Sequence, residues 1–323
     1  MNNRKVSSKE QSEKDLTMHE AFINLNTVPT HVMAWGKWIE EDLSNEKLII
    51  LFIPGNPGLL GFYKAFLDTV YEQLGGKVPV WTVGHGGHEI PNSTLRPIPI
   101  FQSNKDLYDL NAQVNHKASF IRKYVPKDTK IIIMGHSIGA YICVELLNEP
   151  DIESKIQKSY LLFPTLEHMA DTPQGKFLNK FVRYFVSILV FLTWCFITFL
   201  PSVVQTFLIK AYLFLTRSPV SFINEAKSFL KPNVVRNVLF MVMDEMEKVN
   251  DRNDTCIEKN LNKLKLYYGQ TDHWAPPSYY YRIKEKHPTI NAELCNFEHA
   301  FVMRNSEEVG KIVVGWIQED FNI

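Results

Sequence analysis

A serine hydroxyl attacks a carbonyl only when a neighbouring base takes its proton, and that base needs a carboxylate to fix its tautomer. Gly135-His136-Ser137-Ile138-Gly139 places a serine in a GxSxG pattern, between the apolar run Lys130 to Met134 and a helix-forming stretch from Ala140 to Leu147. A buried strand before the motif and a helix after it are the setting in which such a serine stands on a sharp turn at the edge of a sheet. The N-terminus of the helix, with the amide of Ile138, can face an oxyanion.

The partners are expected in the order serine, acid, histidine. Asp272 follows Tyr267-Tyr268-Gly269, and His299 follows the next apolar segment, Ala292 to Phe297. Both fall where strands end, which is where open α/β sheets build their sites. Asp244, Asp254, His273 and His287 are rivals, but they lie in a helical stretch, beside Asp272 or in a helix-ending turn. Pro54-Gly55-Asn56-Pro57-Gly58 follows the first strong strand, where a second oxyanion donor belongs; proline has no N–H, so the amide of Asn56 is the first choice and Gly58 the second. His85 and His88 stand three apart in a glycine-rich loop, with no third ligand at matching spacing, and are read as lining the loop beside the site. The chemistry calls for no metal and no organic cofactor.

The elements that must hold these groups alternate. Leu48 to Ile53, Val78 to Val83, Lys130 to Met134 and Tyr160 to Phe163 read as short buried strands, with helical spacing at 61–74 and 106–124 between them. The region from Ala21 to Trp35 alternates only weakly. Strands and helices resume at Leu264 to Tyr268, Ser278 to Lys286, Ala292 to Phe297 and Ser306 to Phe321. This predicts an α/β-hydrolase fold, a mostly parallel sheet covered by helices on both faces. The expected division is a polar tail at 1–20, core at 21–164, a helical insertion at 165–262 and core again at 263–323.

The insertion is strongly apolar in its first half. Seventeen residues from Tyr184 to Leu200 carry no formal charge, Pro201 breaks the run, and Val203 to Leu215 is interrupted only by Lys210. A helix of that first length spans roughly 26 Å, marginal for a hydrocarbon core of about 30 Å. Ser137 precedes the segment and the other two triad candidates follow it, so a single crossing would divide the site. The region 177–217 is therefore expected to return as a hairpin, lie in the interface, or close over the site as a lid. With 35 basic and 35 acidic residues the chain has no net field for nucleic acid. Four scattered cysteines without CxxC spacing suggest a reducing compartment, and the polar first residues lack the apolar core of a secretory signal.

With these residues in hand, the chain resembles the lipid droplet-associated hydrolase family. The resemblance rests on Ile53 to Gly58 followed by Phe62-Tyr63, on His85 to His88, on Gly135 to Gly139, on Leu162 to Thr165, on Tyr267 through Asp272-His273-Trp274, and on His299-Ala300-Phe301. It implies a Ser137, Asp272, His299 triad and a carboxylic ester of a neutral lipid, such as a cholesteryl ester or acylglycerol, as substrate. It also implies residence on the lipid-droplet surface and the cytosolic face of the endoplasmic reticulum membrane, through the apolar 184–215 region. An acyltransferase or thioesterase on the same fold, or a droplet-coating protein with little turnover, are the alternatives left open.

Overall fold

The computed structural model describes residues 18–91 and 97–323. Most of the expected polar tail and part of the proline loop therefore lie outside the described residues. Within them, eight strands form one sheet: β1 (Met18–Leu25), β2 (Val28–Trp35), β3 (Leu48–Ile53), β4 (Val80–Val83), β5 (Lys130–His136), β6 (Ile156–Leu162), β7 (Leu264–Gly269) and β8 (Asn291–Cys295). Their order is β1-β2-β4-β3-β5-β6-β7-β8. β2 runs antiparallel to both β1 and β4, and every other pairing is parallel.

Side chains of a strand alternate between the two faces, and the parallel strands here are apolar on both. Ile49, Leu51, Ile53, Ile131 and Ile133 enter one core, while Ile50, Phe52, Ile132 and Met134 enter the other. Helix α1 (Lys64–Gln73) and the C-terminal Ser306–Phe321 helix close the second face. Helices α2 (Leu110–Tyr124) and α3 (Ile138–Leu147) close the first. Asp109 caps α2 by accepting from the amide of Ala112 at 2.7 Å, so this helix starts four residues after the expected Asp106.

The weakly alternating 21–35 segment is a β-hairpin whose first strand begins at Met18, so residues 18–20, assigned to the tail, belong to the sheet. β1 is an edge strand with only two buried residues, which is why its pattern is faint in sequence.

Between β6 and β7 the chain leaves the sheet. A short turn of helix, Pro173–Phe177, continues through a π-type turn at Leu178–Val182 into α4 (Arg183–Phe199). The chain reverses at Leu200-Pro201 and returns as α5 (Ser202–Leu215), followed by α6 (Ile223–Phe229) and α7 (Pro232–Lys248). Pro173–Phe199 is long and apolar enough to cross a membrane, and none of its most apolar window is buried by protein. α4 rests on α7, where Arg183 pairs with Glu247 at 2.6 Å. Phe185, Phe191, Trp194 and Phe199 of α4 and Val203, Phe207 and Phe214 of α5 project outward, uncovered. The apolar segment is thus a helical hairpin, and both its ends return to the body of the sheet.

Candidate active site

β5 delivers Ser137 directly: its last residue is His136, and α3 starts at Ile138. Ser137 has φ 55° and ψ −122°, a left-handed strain that a non-glycine residue adopts only where its surroundings hold it. The motif glycines explain how. A Cβ at Gly135 would stand 2.5 Å from the carbonyl oxygen of Gly139, and one at Gly139 would stand 2.3 Å from that of Ile53. Only bare backbone lets α3 pack so closely against β3 and β5.

His299, in the loop after β8, lies with Nε2 at 2.9 Å from Ser137 Oγ. Its Nδ1 is 2.7 Å from Asp272 Oδ2. Asp272, in the loop after β7, is fully enclosed by protein, and its Oδ1 accepts from the amides of Trp274 at 2.7 Å and Ala275 at 2.9 Å. Burial works to raise this carboxyl, yet the charge and hydrogen bond of His299 and the two amides together hold it below the ordinary aspartate range. Since a carboxylate only accepts, His299 Nδ1 carries the hydrogen and Nε2 is free to take the serine proton.

The rival groups are engaged elsewhere. Asp244 accepts from the amide of Leu110 and pairs with Lys248, and Asp254 pairs with His287. His273 is exposed.

The Asn56 loop is held from below. His85 Nε2 donates to the carbonyl of Pro54 at 3.1 Å and His88 Nδ1 to that of Pro57 at 2.7 Å. Burial, followed by the neighbouring Lys117 charge, drives the His85 ring well below its ordinary value; burial takes His88 to about 4, so both rings are neutral. The backbone amides of Asn56 and Ile138 have no protein acceptor among the described residues, leaving them able to donate to an oxyanion. Gly58 has φ 71°, and a Cβ there would strike the His85 ring at 2.4 Å.

One relay escaped the sequence reading. The amide of Gly55 donates to Tyr63 Oη at 2.9 Å, Tyr63 Oη to His136 Nδ1 at 2.8 Å, and His136 Nε2 to the carbonyl of His299 at 2.9 Å. It ties the three loops of the site together through buried groups. Burial, then the proximity of His299, lowers the His136 ring to about 3 and keeps it neutral. Tyr63 and His136 were noticed only as parts of motifs, because their contact joins residues 73 apart.

Two cavities meet at His299, Trp274 and Phe229. The larger, about 570 Å³, is apolar and takes part of its wall from the hairpin, through Phe196, Leu208, Ile209 and Tyr212. The smaller, about 210 Å³, reaches Ser137 and is bounded by α7. Glu245 of α7, fully buried, borders it and is another residue that sequence reading missed. Its signal was available: it continues the Val238, Met241, Val242 stripe at helical spacing, putting a carboxyl on a buried face.

A family model described as lipid-droplet associated hydrolase matches residues 46–302. Proteins called lipid droplet-associated hydrolase are 42% identical in Drosophila melanogaster, over 94% of this chain and 99% of that one. The Homo sapiens protein of that name is 30% identical, over 96% of this chain and 98% of its own. Among solved structures, a bacterial membrane phospholipase A superposes with a TM-score of 0.63 at 13% identity, covering 98% of this chain and 91% of that one. An esterase from Thermogutta terrifontis gives a TM-score of 0.59 at 16% identity, covering 94% and 99%. At such identities the two structures speak to the fold alone, the α/β-hydrolase fold.

Proposed function

The chain belongs to the lipid-droplet associated hydrolase family, and on that premise we propose that it is a serine hydrolase cleaving a carboxylic ester of a neutral lipid through an acyl-enzyme. The observation that carries the reading is the unbroken path from Ser137 Oγ through His299 to Asp272, at 2.9 and 2.7 Å. Ser137 Oγ attacks the ester carbonyl carbon while its proton passes to His299 Nε2. The carbonyl oxygen, now anionic, faces the amides of Ile138 and Asn56. Collapse breaks the bond to the alcohol, which leaves with the proton from His299. Water then gives a proton to His299, attacks the acyl carbon and frees the acid, returning Ser137 to its hydroxyl form. Asp272 stays ionised throughout and stabilises the imidazolium.

The apolar 570 Å³ cavity suits an acyl chain, and its hairpin wall suits delivery of that chain from lipid. The exposed aromatics of α4 and α5 fit a droplet surface, where a monolayer covers oil and an inserted hairpin meets no aqueous far side. The cytosolic face of the endoplasmic reticulum membrane would take the same hairpin.

The test is labelling of the lipid-bound protein with a fluorophosphonate probe. We expect wild type to label, Ser137→Ala not to label, and His299→Ala to label at a rate lower by roughly 10³-fold or more. A folded, lipid-bound wild type that never labels removes the proposal.

A further inference from the structure

Asn56 carries one of the two amides left able to donate to an oxyanion, and its side chain is held by a group that the ester chemistry does not use. Asn56 Nδ2 donates to Glu245 Oε1 at 2.9 Å and to the carbonyl of Val238 at 3.2 Å, so both its hydrogens are engaged by α7. The remaining oxygens, Asn56 Oδ1 and Glu245 Oε2, are enclosed by protein and have no hydrogen-bond partner among the described residues. Glu245 has no exposed surface. A carboxylate there would leave both oxygens as buried acceptors with no hydrogen between them. The neutral acid supplies one: Oε1 already accepts, so the hydrogen sits on Oε2 and Asn56 Oδ1 takes it. Acid and carboxamide then close on each other through two hydrogen bonds, and every polar atom of both groups is satisfied. Burial, opposed by the Asn56 bond and aided by the charge of Asp244, pushes the Glu245 carboxyl up to about 8, which keeps that proton in place at neutral pH.

This ring completes the fixing of the Asn56 loop. The amide of Gly55 is held by Tyr63, the carbonyl of Pro54 by His85 and that of Pro57 by His88, all of them residues of the α/β core. Glu245 reaches the same loop from the insertion, on the helix that bounds the cavity at Ser137.

We propose that Glu245 is a positioning residue: as a neutral acid paired with the Asn56 carboxamide, it fastens α7 to the loop and holds the Asn56 amide on the oxyanion. The inference rests on the ester-hydrolase reading above, in which that amide stabilises the transition state. An oxyanion forms only after attack, so the contribution of Glu245 belongs to kcat and not to KM.

The same pairing sets a pH response. The charged and titratable groups around Glu245 are Asp244 and Lys248 on its own helix, Asp109 before α2, which shares Lys248, His88 behind the Asn56 loop, and His299 across the cavity. Among the described residues none of them bonds to Glu245. Losing the Oε2 proton therefore opens the ring with nothing to replace it, and the Asn56 amide loses its hold as pH rises through the Glu245 value.

The test measures kcat and KM for p-nitrophenyl butyrate between about pH 7 and 9.5, per active site, with sites counted at each pH by fluorophosphonate labelling carried to completion. For wild type we expect kcat to fall by about tenfold or more above pH 8 at nearly constant KM, since losing an oxyanion donor outright costs about 10²–10³ and a loosened one costs less. Glu245→Gln keeps both bonds, its oxygen accepting from Asn56 Nδ2 and its NH2 group donating to Oδ1. It should therefore hold most of the wild-type kcat at pH 7 and stay level to about pH 9.5. Glu245→Leu, which removes both bonds, should lower kcat at pH 7 by about 10- to 100-fold with KM within about threefold. A wild-type profile that stays level, or a Glu245→Gln profile that falls with it, overturns the proposal, and this comparison decides even if Glu245→Leu does not fold. A folded Glu245→Leu with kcat within about threefold of wild type overturns it equally. Those outcomes leave turnover and Ser137 labelling intact; a wild type that shows neither fails the hydrolase reading, and the positioning role falls with it.

Discussion

At the scale of single residues, Asp272 shows how an acid can be specified by what its other oxygen does. Oδ1 accepts from the amides of Trp274 and Ala275, so only Oδ2 is available to His299. An Asp272→Asn side chain must keep its carbonyl oxygen on those two amides, which turns its NH2 group toward His299 Nδ1. That nitrogen would then have to accept, the imidazole hydrogen would move to Nε2, and Nε2 could no longer take the proton of Ser137. The shape of the site would survive while its proton transfer would not. We therefore expect Asp272→Asn to lower kcat by about 10³- to 10⁴-fold with little change in KM, measured on any ester the wild type turns over. A fall of less than about tenfold would mean that Asp272 is not the orienting acid. Asp272 and His299 were legible because each follows a strand in the required order. The partners of Glu245 and Tyr63 were not: helical spacing marks Glu245 as buried, but nothing local marks a partner 189 residues away, as Asn56 is from Glu245.

At the scale of elements, the strands were read from their apolar runs, since a strand buried on both faces needs no subtler signal. Boundaries moved where a local device decides them: the Asp109 cap shortens α2, and the edge position of β1 lets a mostly exposed strand form without an apolar alternation. The hairpin was legible as an apolar segment whose shape sequence left open, because a hairpin, an in-plane helix and a lid share one composition. What closes it is Gln205, whose Nε2 donates to the carbonyls of Leu200 at 2.8 Å, Ile197 at 3.2 Å and Phe196 at 3.4 Å. These lie at the end of α4, where carbonyls lack helical partners and where lipid offers none. On the proposed binding to lipid, the outward aromatics of α4 would supply the anchoring surface. Burying one such ring is worth about 1.5–3 kcal/mol, and a charge in its place resists burial. We expect the double variant Phe191→Glu, Trp194→Glu to lower partitioning onto triolein droplets coated with phospholipid by roughly 100-fold, measured by flotation. Flotation equal to wild type would show that α4 does not enter the lipid.

At the scale of the whole molecule, the site is assembled from neutral histidines, and this sets how the protein responds to acid. His85, His88, His116 and His136 are buried from three parts of the chain, and burial lowers each: His88 to about 4, His136 to about 3, the other two well below the ordinary value. A group whose folded value is depressed contributes stability above its unfolded value, near 6.5, and loses it as pH falls toward the folded one. Each sets a slope of about 1.4 kcal/mol per pH unit across that window. Glu245 runs the other way: its folded value of about 8 exceeds the unfolded one, so its contribution is complete below about 4.5 and fades up to 8. Glu225, also raised by burial, runs the same way as Glu245, so below about pH 6.5 four histidines oppose two carboxyls, and stability falls with acidity. Above that point the histidine contributions are complete and level off. His31, raised to about 9 by Glu89 and Glu20 against its burial, loses stability alongside Glu245, while Lys117, lowered by burial, gains it. The alkaline side should consequently be shallow. Protonation would put a hydrogen on His136 Nδ1, which accepts from Tyr63 Oη, and on His85 Nδ1, which faces Lys117 Nζ, so charging these two rings would disturb the Asn56 loop and the His299 loop in the same step that unfolds the core. We expect the denaturant midpoint of the lipid-free protein in detergent to drop steeply between about pH 6.5 and 5, with fluorophosphonate labelling of Ser137 lost over the same range. Glu245→Gln should steepen the acid limb, because it removes one of the two carboxyls that oppose the histidines. A midpoint flat across that range would mean that the histidines are hydrated in solution and that water, not their burial, holds the loops of the site.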